Sequence, residues 1–319
     1  MNEFEIINKY LKPLSLNNPG AMRLSDDIYF DSSKGIAISV DTYIEGTHFI
    51  DPSNPYKFLK RILRGALSDL YCKGIKPKSY FLSFALNKKL ATPSWLKKIK
   101  NILNSEQRKF NISLAGGDTT YSSKLVITVI VLGNTVNKPV YRHNCAFNDD
   151  IYVTGSIGDS YLGLNILKKK INFGKFNNFF KKKYYEPDLQ TKVSPYLRMV
   201  ASASIDISDG LAQDLQHICS NSKCGAYVDL NLLPLSSFSK ILIKKKKIQL
   251  INIFTKGDDY QILFTSKPKN RSKIIALSKK LNTKISKIGL IKKGKNIMFK
   301  YNMSKFKLNT KKMGYIHNF

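Results

Sequence analysis

Aspartate collects in short clusters along this chain, although acidic residues are scarce in it. The sequence contains 22 Asp and Glu against 53 Lys and Arg. Carboxylates that are brought together repel one another unless cations are present, and hard divalent cations prefer oxygen ligands. The clustering therefore predicts a divalent-metal site. The aspartates concerned are Asp26, Asp27, Asp41, Asp69, Asp118, Asp206, Asp209, Asp258 and Asp259.

One cluster lies in the segment Ala115-Gly116-Gly117-Asp118. Two glycines after an apolar strand allow backbone amides to approach an anion closely, and the aspartate can hold a metal that bridges phosphates. The alternative is a plain β-turn, because Gly-Asp turns are common.

A second cluster surrounds a predicted strand-to-helix junction at Asp206, Ser208 and Asp209. The junction offers two carboxylates, a hydroxyl and the positive end of a helix, a combination that suits a metal–phosphate complex. The alternative is that Ser208 or Asp209 only caps the following helix.

Two further aspartates lie in apolar surroundings. Asp41 follows a strand-like run, and it either ligates a cation with Thr42 or starts a turn. Asp69 falls within a predicted helix, where an aspartate is unfavourable unless it is paired, metal-bound or facing solvent. The sequence contains neither a Walker P-loop nor a protein-kinase catalytic loop, so any nucleotide must be bound by another device.

The elements that would position these residues alternate between strands and helices in both halves of the chain, which indicates an α+β protein of two domains. We expect an N-terminal domain over residues 1–137 and a C-terminal domain over 138–319. Strands are expected over residues 35–40, ending at Asp41, and over 112–115, with the Gly116–Asp118 segment in the loop that follows. Helices are expected over 55–72 and 211–221, and residues 172–188 are expected to be an irregular surface excursion.

The net charge of +31 raises nucleic-acid binding as an alternative function of a different class. The lysines are spread along the whole chain rather than in one stripe, which disfavours it. No apolar run approaches the ~20 residues that span a bilayer, and the N-terminus lacks a signal pattern. We therefore expect a soluble, cytoplasmic protein.

Taken in order, the motifs resemble those of the thiamine-monophosphate kinase family, within the superfamily of aminoimidazole ribonucleotide synthetase. The resemblance covers essentially the whole chain and is specific as an ordered set. The motifs are Ser25-Asp26-Asp27, Ser39-Val40-Asp41-Thr42, Glu45-Gly46-Thr47-His48-Phe49, Ala66-Leu67-Ser68-Asp69-Leu70, Gly116-Gly117-Asp118-Thr119-Thr120, Asp150-Ile151-Tyr152-Val153-Thr154-Gly155, Ile205-Asp206-Ile207-Ser208-Asp209-Gly210-Leu211 and Gly257-Asp258-Asp259-Tyr260.

The resemblance implies phosphoryl transfer from ATP to thiamine monophosphate, several Mg²⁺ ions and a homodimer whose N-terminal sheets pair. It implies the aminoimidazole ribonucleotide synthetase fold, with an N-terminal mixed sheet and a C-terminal α/β sandwich. The implied metal ligands are Asp27, Ser39, Val40 through its carbonyl, Asp41, Asp69, Asp118, Asp206 and Asp209. The implied ATP contacts are Gly117, Asp118, Arg142 and Ser208, and the implied substrate contacts are His48, Asp258 and Tyr315.

Two positions depart from the family pattern. Ser25 replaces the glycine of Gly-Asp-Asp, and Asp258 replaces a glutamate, which shortens the side chain by one methylene. Another ATP-dependent enzyme of the same superfamily is the nearest alternative. The Lys-rich segment 168–183 has no role that the sequence identifies.

Overall fold

The computed structural model describes residues 1–309 and 313–317. The α-helices in this part of the chain are α1 (Glu3–Ile6), α2 (Leu59–Tyr71), α3 (Pro93–Phe110), α4 (Asp159–Leu167), α5 (Asn177–Tyr185), α6 (Leu197–Val200), α7 (Leu211–Asn221), α8 (Ser237–Lys244), α9 (Leu250–Phe254) and α10 (Arg271–Lys280). The strands are β1 (Tyr29–Asp31), β2 (Ile36–Ile44), β3 (Pro77–Leu86), β4 (Ser113–Tyr121), β5 (Val126–Asn134), β6 (Asp150–Thr154), β7 (Ala203–Asp206), β8 (Gly225–Asp229), β9 (Ile262–Ser266), β10 (Ile285–Lys292), β11 (Ile297–Tyr301) and β12 (Ser304–Phe306).

The N-terminal sheet is mixed and has the strand order β1-β2-β5-β3-β4. Strands β3 and β4 are parallel, and the other pairs are antiparallel. In β5, Ile127, Val129 and Val131 are fully buried and alternate with partly exposed residues. This period of two is expected of a sheet with one face on a core, and the apolar residues of α2 and α3 belong to that same core.

The C-terminal sheet has the order β12-β11-β8-β10-β6-β9-β7. Its central strands β6 and β9 are buried along their whole length, so helices cover both faces. The two domains meet where α2 ends. Ser204 Oγ on β7 lies 2.5 Å from the carbonyl oxygen of Cys72, and Lys73 Nζ donates to the Ser204 carbonyl oxygen at 2.8 Å.

The α+β two-domain fold is confirmed, and the helix predicted over 211–221 has those bounds as α7. Three boundary predictions were wrong. The helix predicted over 55–72 begins only at Leu59, because Pro55–Lys57 forms a separate 3₁₀ turn and Phe58 is not helical. Asp41 does not end its strand, because the alternation continues to Ile44 in the ladder with β5. The Gly116–Asp118 segment is not a loop, because it pairs with β3 along β4.

The prediction of an irregular excursion over 172–188 was also wrong. It contains α5, whose Phe180 and Tyr184 are buried. Phe180 packs in a small aromatic and aliphatic cluster with Leu162 of α4. The lysines of this segment obscured an amphipathic helix, since they lie on its outer face. No helix among the described residues combines the length and apolar character of a bilayer span.

Candidate active site

Three aspartates from three separate elements converge between the two domains. Asp27 precedes β1, Asp69 lies on α2 and Asp206 ends β7, and one carboxylate oxygen from each lies within 4.8 Å of the others. They come from both domains, so the packing of one domain against the other assembles the group. The sequence prediction that these three aspartates share a site is consistent with this geometry.

Two cations balance part of this charge. Lys73 Nζ lies 2.9 Å from Asp26 Oδ1 and 2.5 Å from Asp27 Oδ2, and the Lys73 side chain is fully buried. Arg142 pairs with Asp27 through Nη2, and its backbone N–H donates to Asp26 Oδ2 at 2.8 Å. Burial opposes ionisation of Asp27, yet Arg142 and Lys73 outweigh it and hold the Asp27 pKa below its usual range.

The remaining aspartates of the group lack such partners. Burial, together with the charge of Asp27, raises the pKa of Asp206 to about 7. Burial, then Asp41 and then Asp206 raise the pKa of Asp69 well above its ordinary value. Burial is also the main cause of the raised pKa of Asp41, whose Oδ2 accepts a 3.0 Å hydrogen bond from the Tyr43 hydroxyl.

This donor set fits a hard divalent cation. Among the described residues, five neighbouring carboxylates share two cationic side chains, and the excess negative charge is buried. Oxygen-only ligands without imidazole or thiolate favour Mg²⁺ or Ca²⁺ over softer metals. The five carboxylates are those of Asp26, Asp27, Asp41, Asp69 and Asp206, and the cations are Lys73 and Arg142.

A second group lies at the N-terminal end of α7. One ligand atom each of Asp209, Asp214 and His217 lies within 4.8 Å of the others. Asp214 Oδ2 accepts the backbone N–H of Gly210 at 3.0 Å, so this carboxylate also caps the helix. Burial, then the charge of Glu3 raise the pKa of Asp209 to about 7.

Ser208 lies against the loop that carries Asp258. The Asp258 N–H donates to the Ser208 carbonyl oxygen at 2.8 Å, and a Cβ on Gly257 would lie 1.8 Å from that same oxygen. Only glycine permits this approach. The Asp206–Gly210 junction and the Gly257–Tyr260 motif, far apart in sequence, are therefore in direct contact.

Gly117 and Asp118 lie elsewhere, on the exposed edge strand β4. All nine residues of β4 are exposed. A Cβ on Gly117 would lie 1.9 Å from the Leu82 carbonyl oxygen, so packing against β3 already requires glycine there. Asp118 Oδ1 accepts the N–H of Thr119 at 2.8 Å, and neither ligand group described above includes Asp118.

Ser39 and Val40 lie on opposite faces of β2. The buried Ser39 hydroxyl donates to the Ala66 carbonyl oxygen of α2 at 3.2 Å, on the face that carries Asp41. The Val40 side chain is 60% exposed on the other face. A metal contact by Val40 would therefore come from its backbone.

The predicted substrate residues converge from distant segments. The ring of His48 lies 5.3 Å from that of His317, and His317 lies 4.9 Å from the ring of Tyr315, measured between centroids. Tyr315 N–H donates to the Asp209 carbonyl oxygen at 3.2 Å. Burial, then the neighbouring His317 lower the pKa of His48 to about 4, so its imidazole is neutral near pH 7. His48 Nδ1 accepts the Ile44 N–H at 2.9 Å, so the neutral ring carries its proton on Nε2.

The sequence interpretation missed four residues of this region: Lys73, Arg61, Asp214 and His217. Lys73 lies just beyond the end of α2, and its partners Asp26, Asp27 and Ser204 are remote in sequence, so no local pattern indicated it. Asp214 and His217 are spaced three apart on α7. For Arg61 there was no signal, because its partners are remote in sequence.

Comparison with known proteins gives a consistent assignment. Residues 19–135 match the AIR synthase related protein N-terminal domain, and residues 148–302 match the corresponding C-terminal domain. The thiamine-monophosphate kinase of Buchnera aphidicola subsp. Schizaphis graminum is 36% identical over 99% of this chain and 98% of its own length. That of Buchnera aphidicola subsp. Acyrthosiphon pisum is 36% identical over 91% of this chain and 90% of its own.

A solved structure, AaThiL complexed with AMPPCP and TMP, has the same fold. It matches with a TM-score of 0.82 and 24% identity, covering 99% of this chain and 97% of its own. The two domain matches and the full-length relatives lead to one conclusion: this chain belongs to the thiamine-monophosphate kinase family.

Proposed function

We propose that this protein transfers the γ-phosphoryl group of ATP to thiamine monophosphate, which gives thiamine diphosphate and ADP. The observation that carries the proposal is the convergence of Asp27, Asp69 and Asp206 from both domains within 4.8 Å. Family membership supports the substrate pair, since the relatives are thiamine-monophosphate kinases. Phosphoryl transfer depends mainly on positioning and charge neutralisation, which metal ions bound by these carboxylates would supply.

Several Mg²⁺ ions would be held by oxygen donors, most of them from the buried group at the domain junction. The proposed ligands are Asp27, Ser39, the carbonyl of Val40, Asp41, Asp69, Asp118, Asp206 and Asp209. Bound there, the ions would neutralise phosphate charge and orient the transferred group for in-line displacement. The raised pKa values of Asp69 and Asp206 support this assignment, because these carboxylates are costly to ionise without a cation.

The chain's own groups would bind the nucleotide. Arg142 offers a planar fork of donors for a phosphate once Asp27 is engaged by metal. Ser208 stands before α7, whose positive N-terminal end attracts phosphate oxygens. Gly117 and Asp118 would complete the ATP contacts from β4.

The acceptor would be held by His48, Asp258 and Tyr315. The neutral His48 can donate through Nε2–H, while the Asp258 carboxylate attracts the cationic ring system of the thiamine moiety. Tyr315 adds an aromatic wall beside His317. Together they would orient the acceptor phosphate toward the carboxylate group at the domain junction.

We also propose a homodimer formed through the N-terminal sheets. The exposed edge strand β4 carries Leu114 at 48% and Tyr121 at 70% exposure, and Val40 of β2, in the same sheet, is 60% exposed. A long exposed strand with large apolar side chains is a template for pairing unless it is covered. Leu114→Glu should convert the dimer to monomers in sedimentation velocity, and a wild-type protein that sediments as a monomer contradicts the proposal.

The decisive test of the activity is turnover of the purified protein with ATP, Mg²⁺ and thiamine monophosphate. We expect thiamine diphosphate and ADP in equal amounts, and no product when EDTA replaces Mg²⁺. ATP consumption without thiamine diphosphate formation would assign the site to another acceptor.

A further inference from the structure

Arg61 connects two of the candidate substrate residues from opposite domains. It lies on α2, and only 5% of its side chain is exposed. Its Nη1 donates to the backbone carbonyl oxygen of His48 at 2.9 Å, and its Nη2 forms an ion pair with Asp258 Oδ1. His48 and Asp258 are 210 positions apart in sequence, so this guanidinium joins segments with no local relationship.

A tyrosine of α5, the helix that includes the end of the Lys-rich segment 168–183, supports the same arrangement. The Arg61 guanidinium lies 4.6 Å from the ring centroid of Tyr184 on α5. The Tyr184 hydroxyl donates to the His48 carbonyl oxygen at 3.2 Å, so this oxygen accepts hydrogen bonds from both Arg61 and Tyr184. Tyr184 is 3% exposed, and stacking on a guanidinium is stronger when both groups are desolvated.

The two segments that Arg61 joins have local hydrogen bonds of their own, Ile44–His48 in one and Asp258–Ser208 in the other, and Arg61 links one segment to the other. Asp258 has a left-handed φ of 70° in the loop before β9, and His48 lies in the turn after β2. Loops carry substrate contacts accurately only when a rigid element fixes them. Arg61 is anchored in a helix of the N-terminal core, and its planar fork fixes direction as well as distance.

A second buried arginine, Arg64, lies one turn away on the same helix. Arg64 is 2% exposed and forms two hydrogen bonds with Glu106, at 2.7 and 2.9 Å, and one with the Pro187 carbonyl oxygen. Both arginines are buried and paired, but the partners of Arg64 are outside the candidate site. Burial and ion pairing therefore do not distinguish Arg61 from Arg64. The difference is that the partners of Arg61 are candidate substrate residues.

We propose that Arg61, backed by Tyr184, is the positioning residue of the acceptor subsite, setting His48 and Asp258 in register for thiamine monophosphate. This inference rests on the proposed function. Arg61 acts through its two partners and not on the nucleotide, so its loss should alter acceptor binding while leaving ATP binding intact. It also gives the Lys-rich segment a function, since α5 supplies Tyr184.

The test compares Arg61→Lys with Arg64→Lys, which make the same change three residues apart on one helix. Lysine keeps the charge but loses the fork. We expect KM for thiamine monophosphate to rise about tenfold or more in Arg61→Lys, with KM for ATP changed less than about twofold. Arg64→Lys should lower the unfolding midpoint while leaving both KM values unchanged.

Two further variants make the outcome decisive. Tyr184→Phe keeps the ring and removes only the hydroxyl, so it should fold and raise KM for thiamine monophosphate about two- to fivefold. Asp258→Asn combined with Arg61→Lys should be scarcely worse than Asp258→Asn alone, because residues that act as one unit are not additive.

The failures are separable. A wild-type protein that never phosphorylates thiamine monophosphate removes the proposed function, and this inference with it. Wild-type turnover with unchanged acceptor KM in both Arg61→Lys and Tyr184→Phe overturns the inference alone. An equal rise in both KM values in Arg61→Lys would assign Arg61 a merely structural role.

Discussion

The ammonium group of Lys73 lies 2.5 Å from a carboxylate oxygen of Asp27, and the Lys73 side chain is fully buried. The same Nζ contacts Asp26 and the carbonyl oxygen of Ser204 on β7. Burial opposes the charge on Lys73, but Asp26 and Asp27 raise its pKa overall. One lysine thus fixes an N-terminal loop to the C-terminal sheet at the candidate metal site.

Lys73→Met should destabilise the protein by about 3–5 kcal/mol, because it leaves buried carboxylates without their partner. The folded pKa of Asp27 lies below the ordinary 3.8, so its paired charge stabilises the fold above that pH and the contribution is lost as pH falls below it. The difference from wild type in urea unfolding should therefore shrink below about pH 4. A constant difference from pH 7 to pH 3 contradicts this account.

Asp206→Asn should stabilise the metal-free protein and abolish its activity. The pKa of Asp206 is raised to about 7, so the folded state holds an extra proton below that value. The resulting stability is present at low pH and is lost as pH rises from about 4 to 7. At pH 8 the variant should melt higher than wild type without metal, and turnover should fall at least about a hundredfold.

Stabilisation by ligand distinguishes the loss of a metal ligand in Asp206→Asn from a general effect of removing a buried charge. Mg²⁺ with a non-hydrolysable ATP analogue should raise the melting temperature of wild type by mass action, and of Asp206→Asn far less. Asp159→Asn is the matched control, since Asp159 is also a buried aspartate with a pKa raised by burial but is held by Ser236 and Ser239. Asp159→Asn should retain the full ligand-induced rise in melting temperature. Loss of that rise in Asp159→Asn would argue against a local metal site.

Asp118→Asn should remove metal-dependent activity with little effect on the fold. Asp118 is exposed on β4, and its side chain contacts only the neighbouring Thr119 N–H among the described hydrogen bonds. An exposed substitution of this kind changes the free energy of unfolding by less than about 0.5 kcal/mol. Turnover close to wild type at limiting Mg²⁺ would show that β4 contributes no ligand.

Mixed dimers test whether His48 acts within its own subunit. His48 and Asp209 are joined in one chain through His317 and Tyr315, so we expect both to serve the same site. Heterodimers of His48→Ala with Asp209→Asn should then stay inactive, because every site keeps one lesion. Recovery of about half the activity of a wild-type dimer, which is one intact site per heterodimer, would place His48 across the interface.

Local features of the sequence determined much of the local structure and the choice of candidate residues. The bounds of α7 follow from Gly210 before it and the apolar spacing within it, and the ordered aspartate motifs indicated a metal–phosphate site in a kinase family. These features depend on short-range periodicity and composition, which can be observed in a single sequence.

Only the tertiary structure decided which charges meet. From the sequence, Asp69 on its apolar helix could either bind a metal or face solvent. The packing of the domains brings its carboxylate close to those of Asp27 and Asp206. The sequence of the Gly116–Asp118 segment predicted a loop, but the segment is part of β4 because it pairs in parallel with β3. Lys73 with Asp27 and Arg61 with Asp258 are separated by 46 and 197 positions. No spacing rule reaches that far, because contact between such residues depends on how the two domains pack.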